Sequence, residues 1–517
     1  MFFITIRPTI MKKIVLILCV LALSTVSCKR DFVDLVPTDQ YSAATFFQTE
    51  SQLRQAVVAA YVPLRSLMDN DFLLAEMRSD NTHYERSPTR GTQFESRDNI
   101  ADFVNDPSNS YVYDVYIACY QGISRANIVI DRIAGASISQ AAKNDIEGQA
   151  RFLRAFFYFK LVRYFGGVPL YLHEVKSAND AFLPRSTADE TYAQIITDAQ
   201  EAVNKLAAPA AFPQTGQATK GSATMLLADV YMTLKRYAEA ETLLLTLSGM
   251  GYQLLNDYAA VFSTSNKNSR ESIFEVQYLM GTQGGQQSNF IYLFLPRSRN
   301  TNLITGVATN NTSLGGYNTP TADIIGAYEA ADKRKDISIG IAEGTYDASG
   351  FLTISAKKSI VNYTPAAGKV GVPYVKKYLN PHTDVNNTND NWPVYRYADA
   401  LLLLAEALNE QNKPPLTPLN AVRARAGLAQ TSESNQQVLR DLIAKERRLE
   451  LAFENHRWHD LVRTGKAIEV MTAFGVKQKM LYSYLRPDSY TITPAKLLYP
   501  IPRGEIEVNP LLTQNPL

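Results

Sequence analysis

Residues 147–165 form the most apolar helical segment of the mature chain, and they read Glu147-Gly148-Gln149-Ala150-Arg151-Phe152-Leu153-Arg154-Ala155-Phe156-Phe157-Tyr158-Phe159-Lys160-Leu161-Val162-Arg163-Tyr164-Phe165. Apolar side chains fall on nearly every face of such a helix, so other elements must cover it on several sides. Gly166 and Gly167 end the helix, and Pro169 confirms that end. The segment therefore predicts a large helical core.

The composition is that of a globular protein. The 517 residues are 46% hydrophobic and 20% charged, which suits one large domain or several ordinary ones and excludes a disordered tail. With 52 Lys and Arg against 50 Asp and Glu, the formal charge is only +2. This charge is too small for the basic face that nucleic-acid binding requires, so no nucleic-acid partner is expected.

The N-terminus has the pattern of an export signal, predicted to cover residues 1–27. Lys12 and Lys13 precede an apolar run of ten residues, 14–23, which is too short to span a bilayer as a permanent anchor. Residues 1–10 fit neither part of such a signal. Met11 is therefore favoured over Met1 as the initiator.

Small residues lead into Cys28 in the sequence Ser24-Thr25-Val26-Ser27-Cys28, which resembles the lipobox of bacterial lipoproteins. In that motif the cysteine is diacylated and becomes the first residue after cleavage. We predict lipidation of Cys28 and a short tether over residues 28–38; an ordinary cleaved secretory signal is the alternative. More than one acyl chain gives firm anchoring, whereas a single chain binds a membrane only marginally.

The cysteine count bears on stability. Cys19 leaves with the signal and Cys28 is acylated, so Cys119 has no cysteine partner and no intrachain disulfide can form. Cys119 lies in an apolar stretch and is interpreted as a small buried hydrophobe, not as a nucleophile. Stability must then come from core packing.

Helical spacing dominates the chain on both sides of a central region. Helices are predicted over residues 51–67 and 110–133, with a long polar loop over residues 78–107 between them. Residues 220–247 match a tetratricopeptide helical hairpin with Lys235 and Arg236 at its turn. A helix over 395–409 and another opening at 419–425 predict a second hairpin. Because one repeat cannot bury its apolar face alone, the repeats predict a stack of helical hairpins.

The region between these helical parts differs in composition. Residues 272–278 alternate like a strand, and Gly, Asn and Tyr are frequent in 280–318 and 345–392. We expect a mostly α-helical, solenoid-like body of residues 39–517. Its predicted parts are an N-terminal helical part (39–250), a loop-rich insertion with a few short strands (251–392), and a C-terminal helical part ending in an extended clasp (393–517).

Several segments resemble the SusD/RagB-like outer-membrane lipoprotein family and occur in the family's order. They are Gly148-Gln149-Ala150-Arg151-Phe152-Leu153-Arg154-Ala155, Phe165-Gly166-Gly167-Val168-Pro169-Leu170, Tyr395-Arg396-Tyr397-Ala398-Asp399, Val422-Arg423-Ala424-Arg425-Ala426-Gly427-Leu428, Glu446-Arg447-Arg448-Leu449-Glu450-Leu451-Ala452-Phe453-Glu454-Asn455-His456-Arg457-Trp458-His459-Asp460-Leu461-Val462-Arg463, and Tyr499-Pro500-Ile501-Pro502. The resemblance implies four tetratricopeptide-like units and a lipid-anchored position on the outer membrane, facing outward. It also implies capture of glycans, or in some members peptides, for import through a SusC-like TonB-dependent transporter.

The segment from Glu446 to Arg463 contains both charged and histidine residues. Glu446, Glu450 and Glu454 recur every four residues among arginines, so ion pairs can lace this segment or hold neighbouring loops. The cluster Glu454, His456, His459 and Asp460 suggests a metal site, but no His-Glu-x-x-His pattern is present. We interpret the segment as scaffold and expect no metal or cofactor.

Catalysis is not expected. The sequence lacks a glycine-rich phosphate loop and a Gly-x-Ser-x-Gly elbow. Paired carboxylates for glycoside hydrolysis stay open as an alternative, because their separation in space decides whether they can act. A glycan-binding protein is the leading hypothesis, with a peptide-binding member of the same family or a surface glycoside hydrolase as alternatives.

Three loops offer the aromatic faces and planar polar groups that a sugar polymer needs. They cover residues 80–86, 289–318 and 386–392. The candidate ligand-binding residues are Asp80, Asn81, Tyr84, Arg86, Tyr292, Asn311 and Tyr317. For each of them the competing interpretation is turn capping or burial of the tyrosine. Trp392 is predicted to belong to the core.

Overall fold

The computed structural model describes residues 46–86, 91–282 and 284–516. The predicted signal, the acylation site Cys28 and the tether to residue 38 lie outside the described residues. Among the helices of the described ranges, none is both long and apolar enough to cross a membrane.

The chain before residue 250 is largely α-helical. Its main elements are α1 (Glu50–Ala75), β1 (Thr82–His83), α2 (Thr92–Ala101), α3 (Ser110–Ile133), α4 (Gln140–Phe165), α5 (Ala188–Lys205), α6 (Lys220–Thr233) and α7 (Tyr237–Thr246). The helices predicted over residues 51–67, 110–133 and 147–165 are confirmed, the first and last with longer bounds. The hairpin predicted over 220–247 is confirmed as α6 and α7.

Helix α4 is the centre of this half. It packs against α1, α3 and α5, and nearly all side chains of its last four turns are buried. The helix ends at Gly166, whose φ of 71° lies in the left-handed region that favours glycine. Helix α3 approaches closely at Gly122, where a Cβ atom would lie 2.0 Å from the ring of Phe157. Cys119, also on α3, is fully buried as predicted.

From residue 251 onward the chain combines short helices with short antiparallel strands. The elements are β2 (Ser272–Val276), α8 (Phe290–Phe294), α9 (Asn302–Thr305), β3 (Thr319–Pro320), α10 (Ala322–Ala327), α11 (Arg334–Ser338), β4 (Ile339–Tyr346), β5 (Leu352–Ser359), β6 (Val370–Val375) and β7 (Trp392–Arg396). Strand β4 lies between β5 and β6, β1 pairs with β3, and β2 pairs with β7. The strand predicted near residue 272 is confirmed. Its partner β7 was not predicted, and the following helix begins at Tyr397 because residues 392–396 extend along β2.

Residues 78–107 do not form the long loop that the sequence predicted. Residues 78–84 are buried, and helix α2 covers ten of the positions that follow. Polar side chains in this stretch bind protein groups instead of solvent. Arg97, for example, is wholly buried and donates to Asp98 at 2.8 Å and to the carbonyl of Gly316 at 3.2 Å.

The C-terminal part is again helical. Its elements are α12 (Tyr397–Glu410), α13 (Leu416–Arg425), α14 (Gln436–Glu450), α15 (Arg457–Arg463), α16 (Ala467–Leu481) and α17 (Arg503–Val508). Helices α12 and α13 form the second predicted hairpin, and α12 also packs on α7 and α14. The extended segment at residues 499–502 contacts the N-terminal half, where the Tyr499 hydroxyl donates to the carbonyl of Leu74 at 2.9 Å. Trp392 is buried against Tyr378 with the two rings stacked, as predicted for a core residue.

The glutamates of the segment 446–454 bind cations from distant parts of the chain. Glu450 accepts from Arg396 at 3.0 Å, from Arg425 at 2.5 Å and from Arg334 at 3.2 Å. Glu454 binds the opposite edge of Arg396 at 2.7 Å. These side chains are all buried, and they form what we call the Glu450 cluster, joining α11, β7, α13 and α14.

The electrostatics of the Glu450 cluster favour the charged forms. Burial opposes ionisation of Glu450, but the neighbouring guanidinium groups of Arg425 and Arg396 outweigh it and hold the pKa of this carboxyl well below its usual range. The pKa of Glu454 is lowered as well, because Arg396 and Lys377 outweigh its desolvation. Removal of one partner would therefore leave the other charges of the cluster buried without a counter-charge.

The helix α14 does not continue into α15, because a tight turn separates them. Phe453 and Asn455 adopt φ values of 69° and 68°, which are uncommon for residues other than glycine. The buried carboxylate of Glu76 accepts both backbone N–H groups of this turn, at 2.9 Å from Phe453 and 3.1 Å from Asn455. A single residue, directly after the end of α1, thus fixes the turn of the C-terminal segment.

Replacing Glu450 by Gln tests the cluster. The variant keeps the side-chain shape but removes a buried counter-charge, so we expect the free energy of unfolding to fall by about 3–5 kcal/mol at neutral pH. Because the folded pKa lies below the usual value of 4.5, this stabilisation is present above that pH and is lost as the pH falls below it. The variant should therefore lose less stability than the wild type on acidification, measured by urea denaturation at several pH values.

A matched control is Glu469→Gln. Glu469 pairs with Lys466 at 2.9 Å, and both side chains are exposed, so its loss should leave the unfolding transition nearly unchanged. A Glu450→Gln protein as stable as the wild type would contradict the proposed role of the cluster.

Candidate functional site

An open cleft of about 370 Å³ lies between the second half of α1, the start of α3 and three loops of the insertion. Its lining residues are Arg65, Asp69, Asn70, Phe72, Leu73, Tyr111, Tyr278, Gly285, Gln287, Asn289, Leu293, Leu314, Tyr317 and Asn386. The cleft therefore combines three tyrosines, four side-chain amides and one charge of each sign.

The apolar part of the cleft belongs to the core beneath it. Phe72 is buried and its ring lies edge-on to Tyr317, with ring centroids 6.1 Å apart. Arg97 stacks on the Tyr317 ring at 4.7 Å, so the ring is fixed in place. Tyr278 is anchored through its hydroxyl, which donates to the carbonyl of Arg65 at 3.4 Å. The cleft floor is thus preformed by packed aromatic groups.

Several polar side chains of the cleft are not paired with other protein groups. Over the described part of the chain, the side chains of Arg65, Asp69, Asn70 and Asn289 have no hydrogen-bond or ion-pair partner. The Oδ1 atom of Asn386 is buried and also lacks a partner. These groups keep their full hydrogen-bonding capacity for a ligand.

Asp71, only two residues from Asp69, differs from the cleft side chains because its carboxylate has protein partners. Asp71 is fully buried and accepts from Lys160 at 2.7 Å, from Tyr164 at 2.7 Å and from Asn455 at 2.9 Å. Asp69 lies on the opposite side of the helix and lines the cleft. Its side chain is exposed, yet desolvation by neighbouring groups raises the pKa of its carboxyl to about 6, against the opposing charge of Arg65.

The predicted site residues of the first loop form scaffold contacts. Asp80 is buried and binds Arg457 at 2.8 Å and Arg448 at 2.9 Å. Asn81 is fully buried and accepts from Arg448 at 2.8 Å. Asp80 and Asn81 do not line the cleft, and arginines of the segment 446–463 bind their side chains.

Tyr84 and Arg86 are also placed differently from the prediction. Tyr84 is buried, and its hydroxyl donates to Asp102 at 2.9 Å. Arg86 is exposed but stacks on the ring of Tyr484 at 4.4 Å. Neither residue lines the cleft. Tyr84 thus fits the competing interpretation of a buried tyrosine.

The second loop contributes one predicted residue to the cleft. Tyr292 is fully buried, with its hydroxyl 2.7 Å from His382 Nε2. Asn311 is buried and donates to the carbonyl of Tyr292 at 2.8 Å. Tyr317 lines the cleft, although it is buried enough to expose only 3% of its surface. Both rings pack into the core, which is the competing interpretation of burial given for these tyrosines.

The candidate residues did not include Arg65, Asp69, Asn70 and Tyr111. Arg65 and Tyr111 lie on the helices predicted over residues 51–67 and 110–133, and Asp69 and Asn70 lie just beyond the first of them. The signal that could have found them is the spacing of Arg65 and Asp69, which places two opposite charges on one helical face among apolar residues. Asn289 and Asn386 begin two of the three predicted ligand loops.

The histidine-containing cluster of the segment 446–463 serves the scaffold. Glu454 binds Arg396, and Asp460 accepts from Arg463 at 2.8 Å. His459 is buried, and burial lowers its pKa well below the ordinary value. Over the described ranges, no three or more His, Cys, Asp or Glu side chains are grouped so that they could hold a metal ion.

Replacing Tyr292 by Ala tests whether this ring is structural. Removal of a fully buried aromatic ring and its hydroxyl contact should lower the free energy of unfolding by about 3–5 kcal/mol. Tyr113→Ala is the control, because Tyr113 is 41% exposed on α3. Thermal melting that is identical for both variants and the wild type would contradict the burial of Tyr292.

Comparison with known proteins supplies the family. The SusD family model matches residues 270–517, and a second model, described as starch-binding and associating with the outer membrane, matches residues 31–232. SusD-like protein P25 of Formosa agariphila is 28% identical over 540 aligned residues, covering 96% of each chain. The starch-binding protein SusD of Bacteroides thetaiotaomicron is 22% identical over 79% of each chain.

Solved structures agree with this assignment. A laminarin-binding SusD-like protein is similar with a TM-score of 0.72 and 27% identity, over 91% of this chain and 99% of that one. A surface glycan-binding protein of Bacteroides thetaiotaomicron in complex with laminarihexaose has a TM-score of 0.70 at 24% identity, over 90% and 99% of the two chains. The fold, the ordered motifs and the two matching models together show that the chain belongs to the SusD/RagB-like family.

Proposed function

We propose that this protein is a cell-surface lipoprotein that binds a glycan in the cleft between α1, α3 and the insertion loops. The observation that carries the proposal is the group of unpartnered polar side chains at Arg65, Asp69, Asn70 and Asn289, beside the tyrosine rings. Sugars present hydroxyls that amides and charged groups bind, and C–H faces that pack on aromatic rings.

The names of the relatives support the same class of ligand. One relative is named as starch-binding, one solved structure as laminarin-binding, and another holds laminarihexaose. Starch and laminarin are therefore the first glycans to test on this chain. A peptide ligand is the second candidate, because the family resemblance includes peptide-binding members.

The cleft supports binding without hydrolysis. Glycoside hydrolysis by the usual route needs two carboxyl groups on either side of the scissile bond. Asp69 is the only carboxylate that the described lining of the cleft contains. We propose that the bound glycan is released unaltered and passes to a SusC-like TonB-dependent transporter. We also propose that acylated Cys28 anchors the protein to the outer membrane.

Binding is tested by isothermal titration calorimetry of the mature chain with laminarin, soluble starch, mannan, xylan and a mixed peptide pool. We expect one neutral glycan to bind and to yield no new reducing ends. Asn70→Ala and Asn289→Ala should each weaken binding about three- to tenfold, the loss of one or two hydrogen bonds. The exposed Asn204 on α5 offers the control Asn204→Ala, which should bind like the wild type.

Two results would argue against the proposal. Binding that survives both cleft substitutions would place the ligand elsewhere, and binding of the peptide pool alone would favour the second candidate. The appearance of shortened products would make the protein a hydrolase.

The membrane anchor is tested in cells by Cys28→Ser. We expect the wild type in the outer-membrane fraction and accessible to external protease, and the variant in the soluble fraction, because the acyl chains supply the attachment. A variant as firmly membrane-bound as the wild type would show that Cys28 is not the anchor.

A further inference from the structure

Two opposite charges line the cleft from one helix and influence each other electrostatically, but they form no close ion pair. Arg65 and Asp69 are four residues apart on α1, so their side chains project from one helical face. In the described part of the chain, no ion pair within 4 Å joins them, and neither side chain has another hydrogen-bond partner. The buried Asp71 on the same helix is, by contrast, paired with Lys160.

We infer that Arg65 and Asp69 make the cleft select neutral glycans over anionic ones, with Asp69 as the residue that rejects anions. The inference rests on the proposed function and names the ligand class of the same site. No other charged side chain belongs to the described lining of the cleft, so these two residues determine its charge.

A neutral sugar can satisfy both groups at once. A carboxylate accepts hydrogen bonds from two adjacent hydroxyls, and a guanidinium group donates two parallel bonds to oxygen atoms. The amides of Asn70, Gln287, Asn289 and Asn386 line the same cleft and are neutral as well. Neutral amides bind the hydroxyls of an uncharged sugar without a charge penalty.

An anionic sugar cannot satisfy both groups equally well. A uronate carboxylate or a sulfate that pairs with Arg65 comes within one helical turn of Asp69, which is also negative when ionised. The side chain of Asp69 is exposed in the cleft, and desolvation by neighbouring groups raises its pKa. A bound sugar displaces water from the space around this carboxylate, which strengthens its repulsion of a nearby negative charge, so the anionic ligand is penalised.

The test compares each of two ligands in a neutral and an anionic form. The ligands are laminarihexaose and the neutral glycan that binds best in the panel. The anionic form is made by oxidising the primary hydroxyls to carboxylates. Binding to the mature full-length chain is measured by calorimetry at pH 7.5, above the raised pKa of Asp69. The wild type should bind each neutral form at least tenfold more tightly than its oxidised form.

Asp69→Asn removes the negative charge and keeps the shape. We expect it to bind the oxidised form at least tenfold more tightly than the wild type does, and the neutral form up to about tenfold more weakly because a charge-assisted hydrogen bond is lost. Arg65→Gln should abolish the remaining binding of the oxidised form. Asp441→Asn, the same charge change at an exposed position on α14, should alter neither affinity.

The outcomes separate this inference from the proposed function. If the neutral form binds, but Asp69→Asn discriminates against the oxidised form as strongly as the wild type, the inference fails and the proposed function stands. Tighter binding of the oxidised form by the wild type also overturns the inference. If no glycan binds in either charge state, both fail.

Discussion

The ion pairs between Glu450, Glu454 and Arg396 connect parts of the chain that are far apart in sequence. Arg396 lies at the end of β7, Arg425 at the end of α13, and both reach the same buried carboxylate on α14. Taking such charges out of water costs several kcal/mol per ion. The arrangement is therefore stable only when all these elements are in place together, and the insertion loops are positioned on the helical body as a result.

The same principle operates at α1, which connects the scaffold to the site. Glu76 fixes the turn after α14 through two backbone N–H groups, and Asp71 binds Lys160, Tyr164 and Asn455. These buried contacts hold the last turns of the helix rigidly. Asp69, on the opposite side of the helix, opens to the cleft. A binding group on a rigid helix is preorganised, so little freedom is lost when a ligand binds.

The distribution of satisfied and unsatisfied polar groups separates scaffold from site. The loops whose composition is typical of ligand loops are in part structural. The polar atoms of Asp80, Asn81 and Asn311 form ion pairs or hydrogen bonds with neighbouring protein groups. Composition alone cannot distinguish these two roles. Only the pairing of each polar atom in three dimensions shows which side chains keep their hydrogen-bonding capacity for a sugar.

Local patterns in the sequence were sufficient to predict the main helices, the two helical hairpins, the burial of Cys119 and Trp392, and the family. Periodicity and the order of motifs depend only on the residues along the chain. Tertiary structure decided what lines the cleft. Arg65 lies on a helix predicted from its apolar spacing, and Tyr292 lies in a segment predicted as a ligand loop, which instead forms the short buried helix α8. Which of these side chains meets solvent depends on contacts with residues hundreds of positions away, such as Arg448 against Asn81. No local pattern encodes that pairing, so the position of the site follows only from the packed fold.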